Sequence, residues 1–170
     1  MDAATLRSRQ GPLKQQYRDD PTSATSSVGA SGTLHGPGFS VRLGGWAGPV
    51  VAGLHPGTGG DGSDACSADM LLEALVACAG VTLRSVAHAM GVEVRSAQLR
   101  AGATFDARGT LAVSRDVPVG LGDIRFEADL DTDADDSTLA RLAELTERYC
   151  VVSQTLRGPV SFEVRRISAD

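Results

Sequence analysis

Residues 69–90 read DMLLEALVACAGVTLRSVAHAM, and the fold is organised around them. Leu72, Leu75, Val76, Ala79, Leu83, Val86, Ala87 and Met90 recur at three- and four-residue steps, which is one face of a helix. The opposite face is hardly polar, with Glu73, Arg84 and His88 as its charged or titratable members. A helix apolar nearly all round is expected to be buried on most sides. Cys78 sits in its middle. A thiol there is either an inert packing group or a protected reactive one.

On the C-terminal side, Gly91 suits a helix C-cap. Val92 to Ala107 opens with alternation and reads as a strand, with Thr110 to Val113 expected to pair with it across Arg108-Gly109. Leu121 to Leu130 alternates Ile124, Phe126, Ala128 and Leu130, a strand with one buried face. Asp131 to Asp136 is an acidic turn. Asp136 or Ser137 is expected to cap a helix that carries Leu139, Leu142, Ala143 and Leu145 and ends near Tyr149. Cys150 to Leu156 reads as a second short helix, stopped by Gly158-Pro159. Val160, Phe162 and Val164 alternate as a closing strand.

On the N-terminal side, Ser67 or Asp69 is expected to cap the long helix. Trp46 to Ala65 reads as irregular. Its glycine cluster, GTGGDGSD, lacks the lysine of a phosphate loop and reads as a flexible loop. Phe39, Val41 and Leu43 alternate with Ser40 and Arg42 as a half-buried strand. With a strand over residues 22–34 and a turn at Gly36-Pro37-Gly38, this predicts a hairpin that leaves Arg42 opposite Phe39 and Val41. Residues 3–20 are polar, with a weak helical pattern interrupted by Gly11-Pro12. The order of strands, long helix, strands, helices and strand is α+β. Residues 1–21 read as an N-terminal extension and 22–170 as one domain.

The 170 residues and 42% apolar composition suit one globular domain with its own core. A net charge of -5 argues against a nucleic-acid surface, which needs a basic face. The best apolar run carries Glu73 and Arg84, and the N-terminus has no apolar signal core. The expectation is a cytoplasmic protein that does not enter a membrane. Cys66, Cys78 and Cys150 make an odd count without a disulfide framework. On one helix, Cys66 and Cys78 would lie ~18 Å apart, too far to bridge. Cys78 and Cys150 both lie in apolar helical stretches of one core and could meet. Read from the residues alone, all three are small buried hydrophobes as readily as reactive thiols. No CxxC or HxxxH pattern is present, so neither a metal nor another cofactor is expected.

LLEALVACAGVTL resembles the central-helix motif of the OsmC/Ohr family, the osmotically inducible and organic-hydroperoxide-resistance proteins. RYCVVSQTL resembles that family's second motif, in which a Cys-Pro-Val-Ser-like segment is followed by leucine. GFSVRLGG resembles the strand that carries an arginine in the OsmC branch. The likeness covers roughly residues 22–168. It implies an α+β fold, intertwined as a homodimer, with sites at the subunit interface. It implies a thiol-dependent peroxidase that takes organic hydroperoxides and is restored by a dithiol, such as a lipoyl-type reductant. Carried over by position, Cys78 is the peroxidatic cysteine, Cys150 the resolving one and Arg42 the cation beside the thiolate, with Arg18 as its alternate. The family's glutamate falls at Ala68, where Asp69 is the neighbouring carboxylate, and Val151 replaces the motif's proline. The missing glutamate supports an alternative, a non-catalytic protein that holds an apolar ligand at the subunit interface. Cys66, Glu73, His55, His88, Glu147 and Arg148 read as structural or surface residues.

Overall fold

The structure is a computed structural model that describes residues 3–35, 39–45 and 48–156. These fall into two compact units, residues 3–69 with 107–119 and residues 70–106 with 120–156. The closing strand at Val160, Phe162 and Val164 and the breaks at Gly36-Pro37-Gly38 and Gly158-Pro159 lie outside the described residues.

The first unit opens with helix α1 (Ala3–Asp19), which runs through Gly11-Pro12 rather than stopping there. Proline removes one backbone hydrogen bond in the helix interior. A 3-10 turn follows at Pro21–Ala24, where the Asp20 carboxylate accepts from the Thr22 amide. The strand expected over residues 22–34 is therefore short, β1 (Gly32–His35). It pairs antiparallel with β2 (Ser40–Gly45), Leu34 facing Val41, as the hairpin requires. Val41 and Leu43 are half-buried and Arg42 is exposed, so the alternation holds within β2. Phe39, just before the strand, is 84% exposed and does not join that apolar face.

The stretch from Trp46 to Ala65 is more regular than expected. β3 (Gly48–Gly53) pairs antiparallel with β2, and β4 (Ala65–Cys66) pairs parallel with β3. Pro49 and the flanking glycines hide this strand from a propensity reading. Pro49 faces Gly44 of β2, whereas β4 reaches only Ala52 and Gly53. The position that cannot donate lies where β3 has one partner, the place a sheet tolerates proline. Between β3 and β4 lie a 3-10 turn at Pro56–Thr58 and a turn in which the Asp61 carboxylate accepts from the Ser63 amide at 2.9 Å. The Ser40 hydroxyl donates to the Asp64 carboxylate and ties β2 to that loop. The glycine-rich segment is thus held by local side-chain caps.

Helix α2 (Ser67–Ala89) is the long helix. Ser67 and Asp69 lie inside its first turn and not at the cap, where the Asp69 carboxylate complements the positive end of the helix dipole. At the other end Gly91 has φ 72°. The Val92 amide donates to the Ala87 carbonyl at 2.8 Å and the Gly91 amide to the His88 carbonyl at 3.1 Å. This is a Schellman ending, and it requires the left-handed conformation that glycine adopts without cost. It also uses up Val92, which explains why the next strand, β5 (Ser96–Thr104), starts later than the alternation predicts.

The partner of β5 is β6 (Gly122–Asp131), not residues 110–113. Residues 107–110 form a single helical turn, α3 (Ala107–Thr110), in the first unit. The Leu111 amide donates to the Ala107 carbonyl, and Ala112 has φ 57°, so the chain cannot extend there. The β5–β6 register sets Ala97 opposite Leu130, Leu99 opposite Ala128 and Ala101 opposite Phe126. These pairs form the inner face. On the outer face the Arg100 guanidinium lies 2.6 Å from the Asp129 carboxylate. Helix α4 (Asp136–Tyr149) is capped by Asp135, one residue before the expected cap, whose carboxylate accepts from the Thr138 amide at 2.8 Å. Helix α5 (Val151–Thr155) follows with Cys150 alone between the two.

The core of this second unit has two parts on one helix. Leu83, Val86 and Ala87 of α2 pack with Val94 and with Leu142 of α4. One to three turns earlier, Leu75 and Ala79 pack with Cys150. Phe126 touches both clusters. Gly80 admits the Leu99 side chain, whose Cδ1 lies 2.6 Å from where a β-carbon would stand. By length and composition α2 could cross a membrane, yet its Leu75–Leu83–Val86 face is buried in this core. The expectation of burial on most sides fails. Leu71, Ala74, Ala77 and Val81 line an exposed apolar face, and Val81 is 71% exposed. The described residues of one chain cover one side of the helix.

Candidate functional site

Cys78 and Cys150 reach one place from two different elements. Cys78 stands one residue before Ala79 on α2, at the edge of the helix face that packs inward. Cys150 is the junction between α4 and α5 and is wholly buried, 0% exposed. The α4 stripe of Leu142 and Thr146 carries it inward, because residues four apart share a helix face. Cys78 is half-buried against the Leu75, Ala79 and Cys150 cluster, with Val152 and Leu156 beside it. Both thiols are free.

The two sulfurs sit in unlike electrostatic settings. The Cys78 thiol is held below its ordinary value of 9.0, first by the Val152 backbone N–H and further by the Cys150 thiol and the Val151 N–H, against the opposing effect of burial. The Cys150 thiol is pushed above its ordinary value, first by burial and then by donating to and facing Cys78. The Ser153 amide, 3.5 Å from the Cys150 sulfur, opposes that rise. Hydrogen bonds to the charged form favour it, and desolvation disfavours it. Cys78 is therefore the member of the pair that ionises first. Thr82 closes the turn below, its hydroxyl donating to the Cys78 carbonyl at 2.8 Å.

The sequence reading missed the role of Val151 and Val152. Their amides act through the backbone, so side-chain identity carries little trace of them. The one available signal was the short helix predicted to begin at Cys150, whose first amides lack partners within the helix. Arg42 lies exposed on β2 and Arg18 in the last turn of α1, both in the first unit. Asp69 is exposed and precedes Cys78 by nine residues on α2, ~14 Å along a regular helix. That distance excludes direct contact with the sulfur. Cys66 pairs with Gly53 at the end of the β3–β4 ladder. Glu73 is exposed, and the His55 Nδ1 accepts from the Gly57 amide at 2.9 Å. The Arg148 guanidinium lies over the Tyr149 ring. Among the described residues no cluster of His, Cys, Asp or Glu is placed to hold a metal ion.

The family model described as OsmC-like protein matches residues 60–165, and so spans both cysteines. An OsmC-like protein from Mycoplasma pneumoniae has the same fold with a TM-score of 0.66 at 14% identity, covering 78% of this chain and 89% of that one. An organic hydroperoxide resistance protein from Elizabethkingia anophelis gives 0.64 at 16%, covering 79% and 91%. An organic hydroperoxide resistance protein OsmC from Legionella pneumophila gives 0.62 at 15%, covering 79% and 93%. At these identities the likeness is one of fold. No curated protein sequence matches the chain. With more than half its length matched by the family model, and two cysteines packed as the motifs order them, the chain belongs to the OsmC-like protein family.

Proposed function

We propose that the protein is a thiol-dependent peroxidase that reduces organic hydroperoxides to alcohols. The observation that carries this is the pairing of a lowered thiol, Cys78, with a raised one, Cys150, in one apolar cluster. Only a thiolate attacks peroxide, and the Val151 and Val152 amides favour it on Cys78. The thiolate takes the distal peroxide oxygen, breaks the O–O bond and becomes a sulfenic acid, while the alkoxide leaves with a proton as the alcohol. Cys150, kept protonated by burial, condenses with the sulfenic acid to a disulfide and releases water. An external dithiol then reduces the disulfide by exchange. Apolar surroundings favour organic hydroperoxides over small polar ones.

Arg42 is proposed as the guanidinium that stabilises the thiolate, with Asp69 orienting it and Arg18 as the alternate cation. Asp69 acts through that arginine, since it is too far along α2 to touch the sulfur. The exposed Leu71, Ala74, Ala77 and Val81 face of α2 supports a homodimer in which a second copy covers it. The test is consumption of cumene hydroperoxide with dithiothreitol as reductant. Wild type turns over, and Cys78→Ser and Cys150→Ser do not. Absence of turnover by wild type, or wild-type rates in Cys78→Ser and Cys150→Ser, overturns the proposal and favours a protein that only binds.

A further inference from the structure

Helices α4 and α5 are parted by a single residue, and the parting frees backbone amides for the two sulfurs. Cys150 has φ -76° and ψ 108°, an extended conformation between two helical segments. In an unbroken helix each amide donates to the carbonyl four residues back. Two such bonds survive around Cys150, from its own amide to the Thr146 carbonyl and from the Gln154 amide to the Cys150 carbonyl, each 3.0 Å. The three between them are given up. The amides of Val151, Val152 and Ser153 are thereby released from the carbonyls of Glu147, Arg148 and Tyr149. Two of these amides turn to the Cys78 sulfur, and the third lies 3.5 Å from the Cys150 sulfur.

Residue 151 does not enforce this break. Proline there would, because it lacks an amide hydrogen and disfavours a helical residue before it. This chain has valine at 151, which can continue a helix at small cost. If α4 and α5 rejoined, the Val151 amide would return to the Glu147 carbonyl and leave Cys78. That carbonyl is already occupied. The Gln154 side chain reaches back across the break, and its Nε2 donates to the Glu147 carbonyl at 2.8 Å. Gln154 is exposed, so it contributes little by packing.

We propose that Gln154 is a positioning residue for Cys78: by occupying the Glu147 carbonyl it holds α4 and α5 apart and keeps the Val151 and Val152 amides on the sulfur. This rests on the reading of Cys78 as the thiol that ionises first. The test is the rate of Cys78 alkylation by iodoacetamide on the full-length, reduced chain, followed against pH by peptide mass spectrometry. Alkylation needs no peroxide, so failure of the peroxidase reading leaves this test intact. Gln154→Met keeps the length of the side chain and removes the donor. It moves the Cys78 midpoint upward and slows alkylation at neutral pH about three- to tenfold, the worth of one hydrogen bond. Its denaturant midpoint stays close to wild type, because the residue is exposed. A merely structural role would lower stability and leave the pH midpoint in place. Adding Val151→Pro to Gln154→Met restores the break and recovers most of the alkylation rate through the Val152 amide. A Cys78 midpoint unchanged in Gln154→Met, or one that Val151→Pro leaves fully raised, overturns the assignment.

Discussion

Helix α2 feeds two neighbouring clusters that differ in what they contain. The one around Leu83, Val86, Ala87, Val94 and Leu142 is apolar throughout. The one around Leu75, Ala79 and Cys150 admits sulfur and lies against the backbone amides of α5. Both rest on Phe126. The first keeps the helix and the β5–β6 ribbon together. The second gives up part of its packing to make two thiols unequal. A single helix can thus carry stability and chemistry a few turns apart, provided the reactive group sits at the margin of the packed face.

Breaking the second cluster at its sulfur has the largest expected effect. Cys78→Ser lowers peroxide turnover by at least about a thousandfold, measured with cumene hydroperoxide, because the nucleophile itself is lost. Its denaturant midpoint stays close to wild type, since Cys78 is only half-buried. Breaking the first cluster has the reverse signature. Leu142→Ala, at a residue 1% exposed, lowers stability by about 2–5 kcal/mol in urea unfolding, with the rate per folded molecule retained. A variant of either kind that lost both properties together would show that the two clusters act as one.

Finer changes sharpen the distinction. Cys150→Ser stops after one turnover, and the trapped Cys78 sulfenic acid is labelled by dimedone and read by mass spectrometry. The pH dependence reports the inequality of the thiols. Only ionised Cys78 reacts, so the rate rises with pH through a midpoint below 9.0, the ordinary thiol value, and then levels off. A midpoint at or above 9.0 removes the proposed role of the Val151 and Val152 amides. The smallest effect is at Thr82, whose side chain comes last among the causes that lower Cys78. Thr82→Val moves that midpoint slightly upward, with turnover at the plateau unchanged.

What was legible in the sequence is what repeats over short distances. The α2, β6, α4 and α5 segments are written in apolar spacing, and their ends fall within a residue or two of the patterns. β3 was concealed because Pro49 and its glycines read as loop, whereas pairing with β2 outweighs their low strand propensity. Residues 110–113 erred the other way, with a strand-like composition turned aside by the positive φ of Ala112. The site was half visible. The two cysteine motifs could be quoted from the chain, but not the amides that separate their acidities.

The sequence by itself determined helices α2, α4 and α5, most of the described strands and the identity of the two thiols, because helical and strand periodicity are local and each residue carries its own chemistry. Only the tertiary structure decided that Cys150 is fully buried, that Cys78 lies at the edge of its cluster, and that the Thr146 hydroxyl is buried without a hydrogen-bond partner among the described residues. Those properties depend on groups far apart along the chain, and a thiol's acidity is set by the neighbours that folding brings to it.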